Sequence, residues 1–87
     1  MEKSIHTDEY AILLRLLREA REASGYTQVE LAKAIGQSQS FVTKVEKGDR
    51  RLDLIQLRTL LKVFGVSMTQ FVRRWEQEIT DAGKSGS

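Results

Sequence analysis

The sequence predicts an all-α fold, a compact bundle of five helices. Three observations lead there. No stretch alternates apolar and polar residues long enough to make a strand, proline is absent, and five of the six glycines close apolar stretches of helical period. Those five are Gly25, Gly36, Gly48, Gly65 and Gly83. The starts are marked as clearly. Thr27, Asp53 and Ser67 each place a side-chain oxygen three residues before a Glu or Gln, at Glu30, Gln56 and Gln70. Ser38 stands where a fourth cap is needed, without the reciprocal partner. The expected helices are 8–24, 28–35, 39–47, 54–64 and 68–81.

Taken in order, the first helix carries Tyr10, Leu13, Leu14, Leu17 and Ala20 on one stripe, which Arg21 continues, while Ile12 and Leu16 lie off it. The second and third are short, with small apolar faces made by Leu31, Ala32 and Ile35, then by Val42 and Val45. Helices of this length are unstable alone in water, so packing on the longer ones must hold them. The fourth presents Leu54, Leu57, Leu60, Leu61 and Phe64. The fifth presents Met68, Phe71, Val72, Trp75 and Ile79, with Trp75 and Ile79 at its far end. Together these make one domain over 8–82, with 1–7 and 83–87 as flexible termini.

Composition bounds the function. A chain of 87 residues is one small domain, able to bury only roughly 60–65% of the surface it exposes when unfolded. It has no cysteine and a single histidine, His6, expected to be a solvated side chain without a function. Neither a thiolate nor a His-based metal site can be assembled, nor a nucleophile–base pair, so we expect no metal, no cofactor and no enzyme. The longest apolar run is Tyr10 to Leu14, far short of the ~20 residues that span a bilayer, and no apolar leader precedes it. A soluble intracellular module is therefore expected. Net charge is only +2, but it is unevenly spread. Residues 1–32 carry a local net of −2, whereas residues 33–62 carry +4, through Lys33, Lys44, Lys47, Arg50, Arg51, Arg58 and Lys62 against three acids. A basic face in the middle of the chain or an ordinary solvated helix surface both fit that pattern.

The two short helices narrow the choice. Ala32 is small where the third helix must cross close over the second, and Gly36 sits at the corner, where a positive φ turns the chain sharply in a connection of 3–4 residues. This is helix-turn-helix geometry. Val42 and Val45 anchor the inner face of the third helix, which leaves Gln39, Ser40, Thr43, Lys44 and Lys47 outward. All five can hydrogen-bond and none is acidic. Such a face suits the major groove of double-stranded DNA, whose width admits one α-helix.

The run Leu17-Arg-Glu-Ala-Arg21, Gly25-Tyr-Thr-Gln28, Leu31-Ala32, Gly36-Gln-Ser-Gln-Ser40, Val42, Glu46-Lys-Gly48, Arg51-Leu-Asp53 and Gly65-Val-Ser67 resembles the lambda-repressor-like family. These are the XRE or Cro-type helix-turn-helix regulators of bacteria and phages. The resemblance covers roughly residues 10–72, and its joint spacing is specific where each piece alone is not. It implies that Ser38, Gln39, Ser40, Thr43 and Lys44 read bases, and that Gln28, Lys47, Arg50 and Arg51 contact the sugar-phosphate backbone. It also implies a partly buried ion pair between Arg21, on the buried stripe of the first helix, and Glu46, beside Val42 and Val45. The chain departs from the family at Gln37, often apolar there, and at Phe41, bulky for its place. Phe41 is expected to pack against the loop before the fourth helix rather than touch a thymine methyl.

Several side chains admit two readings. Gln39 either bonds adenine N6 and N7 or caps its own helix, Lys44 reaches guanine or a phosphate, and Arg51 meets DNA or braces the loop. One reading helix covers too few base pairs to select a genomic site, so a homodimer on a palindromic operator is expected. Its expected interface is Ile12, Leu16, Trp75 and Ile79; the alternative is that these pack within one subunit. The expected function is a sequence-specific transcriptional repressor in the cytoplasm of a bacterium or on phage DNA. The alternative is a protein-interaction module of the same fold, an antitoxin or scaffold whose partner is another protein.

Overall fold

The computed structural model describes residues 5–85, with side chains from 8 to 83. Five helices follow one another: α1 (Ile5–Ala23), α2 (Gln28–Ile35), α3 (Gln39–Lys47), α4 (Leu54–Phe64) and α5 (Met68–Ser85). There is no strand among the described residues. The limits of α2, α3 and α4 are set by caps. Thr27 and Glu30 form a reciprocal capping box with bonds of 3.1 and 3.0 Å, and Asp53 and Gln56 form another with bonds of 2.7 and 3.0 Å. Such a cap is worth ~1 kcal/mol, a large contribution to helices of eight to eleven residues. Ser38 Oγ accepts from the Phe41 amide at 3.1 Å, and Ser67 Oγ from the Gln70 amide at 3.3 Å.

The outer helices are longer than the sequence predicts. α1 begins at Ile5, and α5 continues through Gly83 to Ser85, taking in residues assigned above to flexible termini. Gly83 is no helix stop here. Residues 1–4, 86 and 87 lie outside the described residues, as does the His6 side chain. Gly36, by contrast, turns the chain in the left-handed region (φ 72°), and its amide meets the carbonyls of Ala32 and Lys33.

The core joins Leu16 and Leu17 of α1, Leu31 and Ala32 of α2, and Val42 and Val45 of α3 to Leu57, Leu60, Leu61 and Phe64 of α4 and Phe71 of α5. Each large side chain buried there contributes ~1.5–3 kcal/mol. Two sequence expectations are corrected. Leu16 is 4% exposed rather than lying off the buried stripe, because α5 covers the flank of α1 that α3 and α4 leave open. Leu54 is 67% exposed, because it precedes the turn at which α4 meets the core. α5 is tied to α1 by polar contacts as well. The Trp75 indole Nε1 donates to the Glu9 carbonyl at 2.9 Å, and Arg15 pairs with Glu78 at 2.8 Å.

Candidate nucleic-acid interface

The site is built from α2, the corner at Gly36–Ser38, and α3. Leu31 and Ala32 below and Val42 and Val45 above are each at most 3% exposed, so the two short helices cannot rotate without opening the core. This orientation presents Ser38, Gln39, Ser40, Lys44 and Lys47 to solvent. The face contains no carboxylate, and α3 has no acidic residue in its first turn. Its amide, hydroxyl and ammonium groups can bond base edges and phosphates.

Beneath that face runs a buried polar network. Arg21 Nε donates to Glu46 Oε2 at 2.6 Å and Arg21 Nη2 to Glu46 Oε1 at 3.2 Å, a bidentate pair with side chains 11% and 8% exposed. Arg21 Nη1 donates to the Tyr26 carbonyl at 2.8 Å, tying the α1–α2 connection into the network. Gln28 Nε2 donates to the same Glu46 Oε1 at 2.9 Å, and Gln28 Oε1 accepts from Thr43 Oγ1 at 2.8 Å. A carboxylate taken out of water needs its lone pairs filled, and here two helices supply the donors. The consequence is positional. α1, α2 and α3 are joined by directional bonds, so the outward face of α3 is held at one angle to the rest of the molecule.

The network also places two expected DNA contacts differently from their neighbours. Thr43 is half-buried and its hydroxyl is spent on Gln28, while Gln28 is half-buried with both polar atoms bonded inside the chain. The Gln28 amide keeps one hydrogen for an outside acceptor, as –NH₂ has two.

Arg50 and Arg51 stand in the α3–α4 connection, both exposed and both stacked on aromatic faces. The Arg50 guanidinium lies 5.0 Å from the centre of the Phe41 ring, and that of Arg51 lies 4.6 Å from the Tyr10 ring. Cation–π contacts of this kind contribute ~0.5–1 kcal/mol at exposed sites and restrict the side chain. Phe41 itself is half-buried, lining one cleft with Leu52 of the loop before α4. Its bulk is thereby used for packing and for seating Arg50. Arg51 braces the connection against α1 through Tyr10 and remains exposed as a residue.

Ser38, Gln39, Ser40, Lys44, Lys47, Arg50 and Arg51 are all exposed, on α3 and the connections that flank it, whereas Gln28 and Thr43 are half-buried in the network. The residues expected to pair two copies lie elsewhere. Leu16 is in the core, 4% exposed, where it lines the cleft between α1 and α5. Ile12 and Trp75 are half-buried against that core, and Ile79 is half-buried near the end of α5. Among the described residues no cluster of His, Cys, Asp or Glu could hold a metal ion, and no helix is long and apolar enough to cross a membrane.

Comparison with known proteins agrees with this arrangement. The family model described as helix-turn-helix matches residues 17–71, which takes in α2, α3, α4 and the network beneath them. The chain belongs to the XRE helix-turn-helix family. Among solved structures it is similar to an XRE-family like protein from Pseudomonas syringae pv. tomato str. DC3000. The two are 42% identical, with a TM-score of 0.82, over 87% of this chain and 93% of that one. No curated protein sequence matches the chain. Membership of this XRE family makes the protein a DNA-binding regulator by class.

Two features of the site escape sequence reading. The bonds from Gln28 to Thr43 and Glu46 cross 15 and 18 residues and follow no periodicity. The seating of Arg50 on Phe41 had a weak signal, an aromatic where the family pattern is less bulky.

Proposed function

We propose that this XRE-family protein is a sequence-specific transcriptional repressor that binds a palindromic operator as a homodimer, with one α3 in each of two successive major grooves. The reading is carried by one observation. The outward face of α3 is polar or basic, and α3 is tied to α1 and α2 by the Arg21–Glu46–Gln28–Thr43 network. Gln39, Ser38, Ser40 and Lys44 read base edges. Lys47, Arg50 and Arg51 hold the sugar-phosphate backbone, the last two preset by their aromatic seats. Thr43 and Gln28 act at the rim: the Thr43 methyl meets the groove, and the spare Gln28 hydrogen meets a phosphate beside the amides that open α2. The protein is not an enzyme on this reading, and it works in the cytoplasm wherever its operator lies.

Selection of duplexes from a randomised library by the wild-type protein tests the proposal. Enrichment of a two-fold symmetric sequence, with half-sites about one helical turn apart, is the expected result. With about six phosphate contacts per dimer, affinity should fall by ~10³-fold between 50 and 200 mM salt. Recovery of no preferred sequence would refute sequence-specific reading.

A further inference from the structure

We infer that the cleft between the second half of α1 and the first half of α5 is a binding site for a free α-amino acid with a large apolar side chain. No residue of the outward face of α3 lines this cleft, so the inference stands independently of how DNA is read.

α1 and α5 are held together toward one end, where Trp75 bonds the Glu9 carbonyl at 2.9 Å and Arg15 pairs with Glu78 at 2.8 Å. Further along, α1 offers only the short side chains of Ala20 and Ala23, and a cleft of about 490 Å³ opens between the helices. That volume lies within the ~300–1,000 Å³ of small-molecule sites. Leu16, Phe64 and Phe71 of the core line it, with Val66 of the α4–α5 connection. An apolar group that displaces water from such a lining is favoured.

The rim decides the class of ligand. Glu19 of α1 and Arg74 of α5 stand at its two sides. Arg15 already fills Glu19 Oε2 at 3.3 Å and Glu78 Oε1 at 2.8 Å. The other two oxygens face Arg74 without bonding it. Glu19 Oε1 is 3.8 Å from Arg74 Nη2, and Glu78 Oε2 is 3.8 Å from Arg74 Nε, both beyond hydrogen-bond reach. The edge of an apolar cleft thus holds an anionic acceptor and a cationic fork, each with capacity left. Arg15 and Arg74 balance Glu19 and Glu78, so a ligand without net charge fits. A plain carboxylate gains Arg74 but meets Glu19, and a plain amine gains Glu19 but meets Arg74. A zwitterion gains both. Its ammonium donates to Glu19 Oε1, and its carboxylate accepts from the planar guanidinium of Arg74. In an α-amino acid these groups flank one carbon, from which the side chain descends onto Leu16, Phe64 and Phe71. The Glu19 and Arg74 side chains are 44% and 63% exposed, so they select more than they hold, and the buried side chain supplies most of the affinity.

The test titrates the full chain, without DNA, with L-phenylalanine and with L-leucine, followed by calorimetry and by amide NMR. Both should saturate with a Kd of ~1 mM or tighter, and the melting temperature should rise with ligand concentration. The largest shifts should fall at Ala20, Ala23, Val66 and Phe71. L-alanine, with no side chain to reach the floor, should bind ~10-fold or more weakly. 3-Phenylpropionate and phenethylamine, each lacking one of the two charges, should bind ~5-fold or more weakly than L-phenylalanine. Arg74→Gln and Glu19→Gln, at the exposed rim, should each lose ~5-fold or more. Ala23→Leu, at an exposed position, should fill the cleft and abolish binding while keeping the melting temperature of the free protein. No saturation by either amino acid at ~10 mM, shifts centred outside α1 and α5, or both Gln variants within about two-fold of wild type would each overturn the inference. So would equal binding of 3-phenylpropionate, which would give the cleft to plain acids, or a solution dimer lost in Ala23→Leu, which would give it to a second copy.

Discussion

Replacing Glu46 with alanine removes the acceptor on which three donors converge. Arg21 Nε and Nη2 and Gln28 Nε2 lose their bonds, while Arg21 Nη1 keeps the Tyr26 carbonyl and Nη2 keeps a 4.0 Å approach to the exposed Glu22 carboxylate. The residue left behind is a guanidinium whose side chain is 11% exposed, so solvent screens little of its charge. Breaking a buried pair from one side costs ~3–5 kcal/mol. Marginal stability for a chain of this length is roughly 4–13 kcal/mol, so the loss is a large fraction of the total. For a domain of this size it corresponds to a fall in Tm of about 12–40 °C. Thermal and urea unfolding followed at the helical far-UV band measure it. The double replacement Arg21→Met with Glu46→Leu should recover part of the loss, because an apolar pair of similar volume leaves no charge stranded. A Glu46→Ala protein melting within about 3 °C of wild type would refute the role given to this network.

The remaining predictions concern reading, backbone and docking. Gln39→Ala should flatten the preference among selected duplexes by ~1–3 kcal/mol, whereas Arg50→Ala should weaken all of them alike, both read by competition gel shifts. Gly48→Ala should destabilise, since φ there is 89° and a Cβ would stand 3.3 Å from Leu14 Cδ1, while Gly83→Ala, inside α5 with open space around it, should stabilise by ~0.5–1 kcal/mol or less. Opposite signs in urea denaturation are the check. Trp75→Phe should cost ~0.5–1.5 kcal/mol through the lost bond to the Glu9 carbonyl, and in the wild type this single tryptophan should report α5 leaving α1 at the same midpoint as global unfolding.

Caps and corner glycines made the middle of the fold legible, since Thr27, Ser38 and Asp53 start their helices and Gly36, Gly48 and Gly65 end them through local chemistry alone. The outer limits were not, because Gly83 stops a helix only if the chain turns left-handed there. Gly83 is not among the left-handed glycines, and α5 continues through it to Ser85. Leu16 and Leu54 show the limit of periodicity. It finds the centre of a buried stripe, but the width of that stripe depends on how many neighbours cover the helix, which is a tertiary fact. In the site, the outward set on α3 followed from Val42 and Val45 pointing in. The half-burial of Thr43 did not, because it depends on Gln28, fifteen residues away, reaching across to take its hydroxyl.

The most direct measurement is an NMR titration of the labelled protein with the duplex it selects. The account predicts that the side-chain amide of Gln39 and the backbone amides of Ser38, Ser40 and Lys44 shift most, with those of the α1–α5 pair scarcely moved. The largest changes falling on α1 and α5, with the outward face of α3 unmoved, would contradict it.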